Sequence, residues 1–207
     1  MKTTLEIIAD GNITTPSGTF LTADNVILES INGSIGLATN NRVNVAANTL
    51  IANANALNQD VFIYTASDIA LNGPSGANRT FDLLSEGSMD DNTGSSTITA
   101  TNVVLTSNTG NIGLGGPINT EAVNLTANAA NGWVIISEAS DVEIRGDSGA
   151  SMLAEFILVA GGNITNEINP TGDVISGGEV ELFASDGSIG STTGRINVST
   201  IEISATA

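Results

Sequence analysis

One motif returns at a fixed long interval, and nothing else in the chain limits its fold as strongly. The stretch Val26-Ile27-Leu28-Glu29-Ser30-Ile31-Asn32-Gly33-Ser34-Ile35-Gly36 recurs as Val103-Val104-Leu105-Thr106-Ser107-Asn108-Thr109-Gly110-Asn111-Ile112-Gly113. It recurs again as Val180-Glu181-Leu182-Phe183-Ala184-Ser185-Asp186-Gly187-Ser188-Ile189-Gly190. The offsets 103 − 26 and 180 − 103 are both 77. Self-similarity at a fixed period marks a repeat architecture, in which each unit buries its apolar face only by stacking on its neighbours.

The flanking segments repeat as well. Leu5-Glu6-Ile7-Ile8-Ala9 before Asp10-Gly11-Asn12-Ile13 matches Phe81-Asp82-Leu83-Leu84-Ser85 and Phe156-Ile157-Leu158-Val159-Ala160, each ahead of its own glycine turn. Ser67-Asp68-Ile69-Ala70-Leu71-Asn72-Gly73 matches Ser140-Asp141-Val142-Glu143-Ile144-Arg145-Gly146. The chain is therefore one domain, residues 1–207, built from about 2.7 copies of a unit of roughly 77 residues, with no linker or break in composition.

Apolar residues alternate along the short segments, as in Val26/Leu28, Val43/Val45, Ile69/Leu71 and Val142/Ile144. Period two is the strand signal, and helical spacing is not sustained anywhere. Only 3% of residues are aromatic although 41% are hydrophobic, so the core is a stack of small aliphatic side chains. These features predict an all-β, single-stranded parallel β-helix: a solenoid of about eleven coils, four coils of about 19 residues to each unit, stacked at roughly 4.8 Å. Gly33, Gly110 and Gly187 are expected at corners that need positive φ or a tight bend, and Asn12 and Asn163 could stack as an amide ladder. Neither end reads as a cap, which predicts a segment of a longer rod or a unit that stacks end to end.

Charge and composition exclude several functions. The formal net charge is −17 and the basic residues, Lys2, Arg42, Arg79, Arg145 and Arg195, are isolated. That argues against nucleic-acid binding, which needs clustered cations to neutralise phosphates, and against an anionic membrane surface. No apolar run approaches the roughly 18 residues of a membrane span, and the first residues lack a signal peptide's long apolar stretch. The chain contains neither Cys nor His, which removes disulfides, thiolate metal sites and the commonest general base.

Gly33-Ser34-Ile35-Gly36 followed by Arg42-Val43-Asn44-Val45, and Gly187-Ser188-Ile189-Gly190 followed by Arg195-Ile196-Asn197-Val198, resemble the filamentous-haemagglutinin-like repeats of large bacterial exoproteins and adhesins. The resemblance covers nearly the whole chain at the level of repeat style. It implies a right-handed β-helix rod at the bacterial cell surface or outside the cell, exported by two-partner or autotransporter routes. It also implies adhesive patches for a host-cell or matrix glycan or protein ligand.

The candidate sites each have a plain alternative. Asp68 and Asp141 hold matching places and could form a carboxylate row, or each could brace the turn before its strand. Asp90 and Asp91, beside Asn92, could bind calcium through oxygen ligands, or could form a solvated acidic loop. Glu143 and Arg145 fall on one outward face as a surface ion pair, in a region where a polysaccharide-cleaving β-helix would need clustered carboxylates. Trp133 is either a sugar-stacking platform or packing at a coil edge. Asn-x-Ser/Thr sequons begin at Asn12, Asn32, Asn78, Asn124, Asn163 and Asn197, as an Asn/Thr-rich repeat produces by chance. The expectation is a non-catalytic structural or adhesive shaft with no catalytic residue, cofactor or metal. A self-assembling filament subunit and a carbohydrate-active β-helix are the alternatives.

Overall fold

The computed structural model describes residues 2–166 and 174–207. Within them the chain is all-β: short strands run parallel to their neighbours and wind into a solenoid of about nine turns. No helix of the described residues is long and apolar enough to cross a membrane.

Each turn crosses two faces. On the first face Thr4–Ala9 pairs with Asn25–Ser30, which pairs with Thr49–Ala54. The ladder continues through Ile69–Leu71 with Ser75–Ala77, Met89–Asp91 with the start of Thr97–Ser107, and Ile112 with the start of Ile118–Ala129. It ends through Val134–Glu138, Glu155–Ala160 and the C-terminal halves of Ile175–Ala184 and Val198–Thr206. The opposite face starts at Ile13 and Leu21–Thr22 and passes through Ile35 with Val43–Ala46, then Asp60–Thr65, Thr80–Ser85 and residues 102–107 and 124–129. It closes with Val142–Ile144, Ile164–Asn166 and Ile189 with the start of Val198–Thr206.

The coil count corrects the expectation of about eleven. Seven rungs on the first face separate Val26 from Val180, so 180 − 26 = 154 residues take seven turns of 22. A unit of 77 residues is therefore three and a half turns of 22, not four of 19. The half turn throws alternate copies onto opposite faces. Val26 and Val180 lie on the first face, and Val103 lies on the second, above Phe81 and Val61.

The local shapes follow from the residues. An unbroken six-residue strand alternates inward and outward, as Glu155–Ala160 does with Phe156, Leu158 and Ala160 buried. Other half-turns are split into two short pieces around a bend. Their bends hold glycines in the left-handed region: Gly36 (φ 71°), Gly113 (φ 79°) and Gly190 (φ 73°) in the three copies of the motif. An L-residue loses roughly 1–2 kcal/mol there. Gly33, Gly110 and Gly187, expected at corners that need positive φ or a tight bend, sit at bends and have no positive φ. They are glycine because stacked backbone leaves no room. A Cβ would sit 2.4 Å from the Asn12 nitrogen at Gly33, from the Ser88 nitrogen at Gly110 and from the Gly162 carbonyl carbon at Gly187.

The core is one continuous cluster of Val, Ile, Leu and Ala ladders, with Phe81 and Phe156 as its largest fully buried side chains. Each Val, Ile, Leu or Phe side chain among them contributes about 1.5–3 kcal/mol by leaving water, less the entropy of ordering it.

Candidate functional site

The corners where the chain passes between faces account for most of the residues singled out in the sequence. Asn12 Oδ1 accepts the Ser34 N–H at 2.8 Å, one turn above it. Asp68 Oδ1 accepts the Ser88 N–H at 2.7 Å, Asn111 Oδ1 the Trp133 N–H at 3.0 Å, and Asn163 Oδ1 the Ser188 N–H at 2.9 Å. Asp141 Oδ1 accepts from both the backbone and the side-chain nitrogen of Asn163, at 2.6 and 3.0 Å. These carboxylates and amides satisfy backbone donors that the bend has taken out of the ladder. Asp68 and Asp141 form no carboxylate row: the half-turn offset puts Asp68 before a strand of the first face and Asp141 before one of the second. Asn12 and Asn163 both precede strands of the second face but lie many turns apart, and each bonds the turn next to it rather than the other.

Asp90 and Asp91 end a strand of the first face, and Asp91 braces the turn that follows. Asp91 is buried, with Oδ1 accepting from the Thr93 backbone and hydroxyl and Oδ2 from the Ser96 N–H and the Asn119 amide. Burial pushes its carboxyl upward, but the Thr93 and Ser96 hydrogen bonds outweigh that and hold it below the usual carboxylate range. Asp90 Oδ1 accepts the Gly115 N–H at 2.7 Å. Among the described residues no group of three or more acidic, His or Cys side chains is placed to hold a metal ion. Glu143 and Arg145 form the outward ion pair, with Nε to Oε1 at 2.8 Å. Trp133 is half-buried and packs against the core.

Three polar clusters were not singled out in the sequence. Arg42 donates twice to Asp82, at 2.9 Å to each carboxylate oxygen, from a side chain only 12% exposed. Arg79 pairs with buried Asp60, Nε donating to Oδ1 at 2.9 Å. Glu138 ends an unbroken strand facing inward, in the place that Ala160 fills one turn later. Its Oε2 accepts from the Thr120 hydroxyl and the Ala122 N–H, and its Oε1 from the Ser140 N–H. Burial raises its carboxyl above the usual range despite those donors. Arg42 opens the Arg42-Val43-Asn44-Val45 motif and Arg79 precedes the strand Thr80–Ser85, yet their partners sit 40 and 19 residues away, a separation only the winding supplies.

Two of the concavities along the rod are candidate binding surfaces. A groove of about 830 Å³ runs along one corner across successive turns, past Asn55, Asn78, Thr101, Val123, Ser140 and Gly162. A second, of about 530 Å³, lies between Thr15, Asn40, Arg42 and Tyr64, with Phe20 tilted against the Tyr64 ring. Both offer amides and hydroxyls to a polar ligand. Asp141, which lines the groove, accepts from Asn163, and Glu143 pairs with Arg145. Compared with protein-family models, with curated proteins and with solved structures, the chain matches none.

Proposed function

We propose that the chain is a non-catalytic structural and adhesive shaft, a segment of a bacterial exoprotein of the filamentous-haemagglutinin-like kind, acting at the cell surface or outside the cell. One observation supports this reading above the others. The residues that recur from unit to unit are the ones that hold turn to turn: the inward ladder, the bend glycines and the corner Asn, Asp and Ser side chains. Function in such a rod lies in what its sides present. The groove past Asn55, Asn78 and Thr101 fits a neutral glycan or peptide ligand of the host surface or matrix better than a polyanion, given the net charge of −17.

The reading is tested by small-angle scattering together with a panel of polysaccharides. A rod on the order of 45 Å long at the rung spacing of a β-sheet, with glycan retention and no turnover, is the expected result. Turnover that is lost in both Asp141→Asn and Glu143→Gln variants would instead make it a carbohydrate-active enzyme.

A further inference from the structure

On the outward surface of the first face, the winding lays an apolar stripe beside an acidic one. Three successive rungs carry them: Val134–Glu138, Glu155–Ala160 and the C-terminal half of Ile175–Ala184, paired in register. Alternate residues of each rung point outward. They are Ile135 and Ser137 in the first rung, Glu155, Ile157 and Val159 in the second, and Glu179, Glu181 and Phe183 in the third. Ile157 lies over Ile135 and Val159 over Ser137; Glu179, Glu181 and Phe183 lie over Glu155, Ile157 and Val159. Half-buried Trp133 stands just before the first rung. The apolar side chains therefore run diagonally, from Trp133 through Ile135, Ile157 and Val159 to Phe183, with the three glutamates along one flank. Val159 and Phe183 are 40% and 43% exposed. The three rungs have strand on both sides, Ile118–Ala129 below and Val198–Thr206 above, so the stripe belongs to the side of the rod and not to an end.

The chemistry of this surface says what fits it. Contiguous apolar side chains at a surface mark a place where a partner docks. The glutamates beside them are not neutralised from within the chain. Among the described residues the ion pairs are Arg42 with Asp82, Arg79 with Asp60 and Arg145 with Glu143, all on the opposite face. Burial, and then the charges of Glu202, Glu155 and Glu181, raise the Glu179 carboxyl, and a cation set beside it relieves that repulsion. The backbone of these strands is used between rungs, so the face offers side chains only. A partner must arrive with its own backbone groups already paired, as a helix does and an extended segment does not. The stripe spans four residues along the strands and two rungs across them, about 17 Å at a rise of ~3.4 Å and a rung spacing of ~4.8 Å. A helix of that length has about eleven residues, or three turns.

We infer that this stripe docks an amphipathic α-helix of a partner protein, about three turns long, its apolar side chains at helical spacing on the stripe and its Lys or Arg side chains against Glu155, Glu179 and Glu181. The inference goes beyond the shaft reading and shares no residue with the groove past Asn55, Asn78 and Thr101.

The test uses a labelled synthetic peptide of about fourteen residues, with Leu at i, i+3, i+4 and i+7 spacing and Lys along one flank of that face. It is titrated with the whole chain by fluorescence anisotropy at about 0.15 M salt and at tenfold lower salt. The described residues contain no helix, so a helical circular-dichroism signal gained on mixing belongs to the peptide. Binding with that gain is expected, at least about tenfold tighter at the lower salt. Phe183→Ser and Val159→Ser should each weaken it about tenfold or more, as loss of an apolar anchor does. The triple variant Glu155→Gln/Glu179→Gln/Glu181→Gln should remove most of the salt dependence. Ile8→Ser, at a side chain 58% exposed far along the same face, should change nothing. A scrambled peptide of the same composition that bound equally well would overturn the inference, since net charge alone would then explain binding. So would binding without helix, or binding that ignored both serine variants while their melts matched the parent. A rod seen by scattering that bound no peptide at either salt would overturn the inference and leave the shaft reading standing.

Discussion

Ile35 and Ile189 hold the same place in their repeat units, and they differ by one covering strand. Ile35 is fully buried between Ile13 below and Val61 above. Ile189 pairs with Ile164 below and is half-exposed. The glycine after each tells the same story. A Cβ on Gly36 would lie 2.5 Å from Phe62 O, and one on Gly113 would lie 2.2 Å from Ile135 O. On Gly190 the nearest atom is 3.7 Å away. The motif is unchanged, so the sequence of a rung prepares an apolar ladder without completing it. Burial, hydrogen bonding and crowding all come from the next turn.

The largest effect that would sharpen this contrast lies in the core. Leu50 and Ile203 are equivalent inward positions, in Thr49-Leu50-Ile51-Ala52-Asn53-Ala54 and Glu202-Ile203-Ser204-Ala205-Thr206-Ala207. Leu50 is fully buried whereas Ile203 is 51% exposed. Leu50→Ala is expected to cost about 2–5 kcal/mol, because a cavity opens between two fixed rungs. Ile203→Ala should cost about 1 kcal/mol or less, since the methyl groups it removes still face water. Guanidinium unfolding of the monomer measures both. Equal losses would mean that the terminal rung is as well packed as the interior and would break the comparison.

A smaller difference is expected at the bends. Gly113→Ala combines left-handed strain with a methyl pressed on Ile135 O, for a loss of about 2–3 kcal/mol. Gly190→Ala carries the strain alone, about 1 kcal/mol. Thermal melts of the two variants under conditions that keep the chain monomeric separate crowding from backbone strain, and indistinguishable melting points would show that crowding is relieved by local shifts.

Strand alternation and the 77-residue repeat made the parallel solenoid legible in the sequence, because both are statements about which residues point inward. The turn length was not. A period of 77 divides as readily into four turns as into three and a half, and Val26, Val103 and Val180 point inward whichever face carries them. The error then reached the candidate site. With whole turns, Asp68 and Asp141 align into a row; with the extra half turn they fall on opposite faces. The ion pair of near neighbours, Glu143 with Arg145, was readable from alternation alone. Arg42 with Asp82 was not, because a guanidinium reaching across two turns depends on the number of residues in each.

The two ends of the first face also differ along one outward ladder. Near the start, Thr4, Asn25 and Thr49 are in register and neutral, the Asn25 amide donating to Thr4 Oγ1 at 3.2 Å and the Thr49 hydroxyl to Asn25 Oδ1 at 2.8 Å. Near the finish the same positions are Glu155, Glu179 and Glu202. Burial first, and then Glu202, Glu155 and Glu181, raise the Glu179 carboxyl above the ordinary 4.5. A carboxyl raised in the folded state binds its proton more tightly there than in the unfolded chain. Its contribution to stability is therefore fully present below the unfolded value and is lost as pH rises through the folded one. Glu179→Gln should consequently melt higher than the parent at pH 7, show no advantage below about pH 4, and lose part of its gain in high salt as the repulsion is screened. A variant whose advantage appeared only in acid would mean that Glu179 is stabilised as the carboxylate, and that the end of the ladder is paired as well as its beginning.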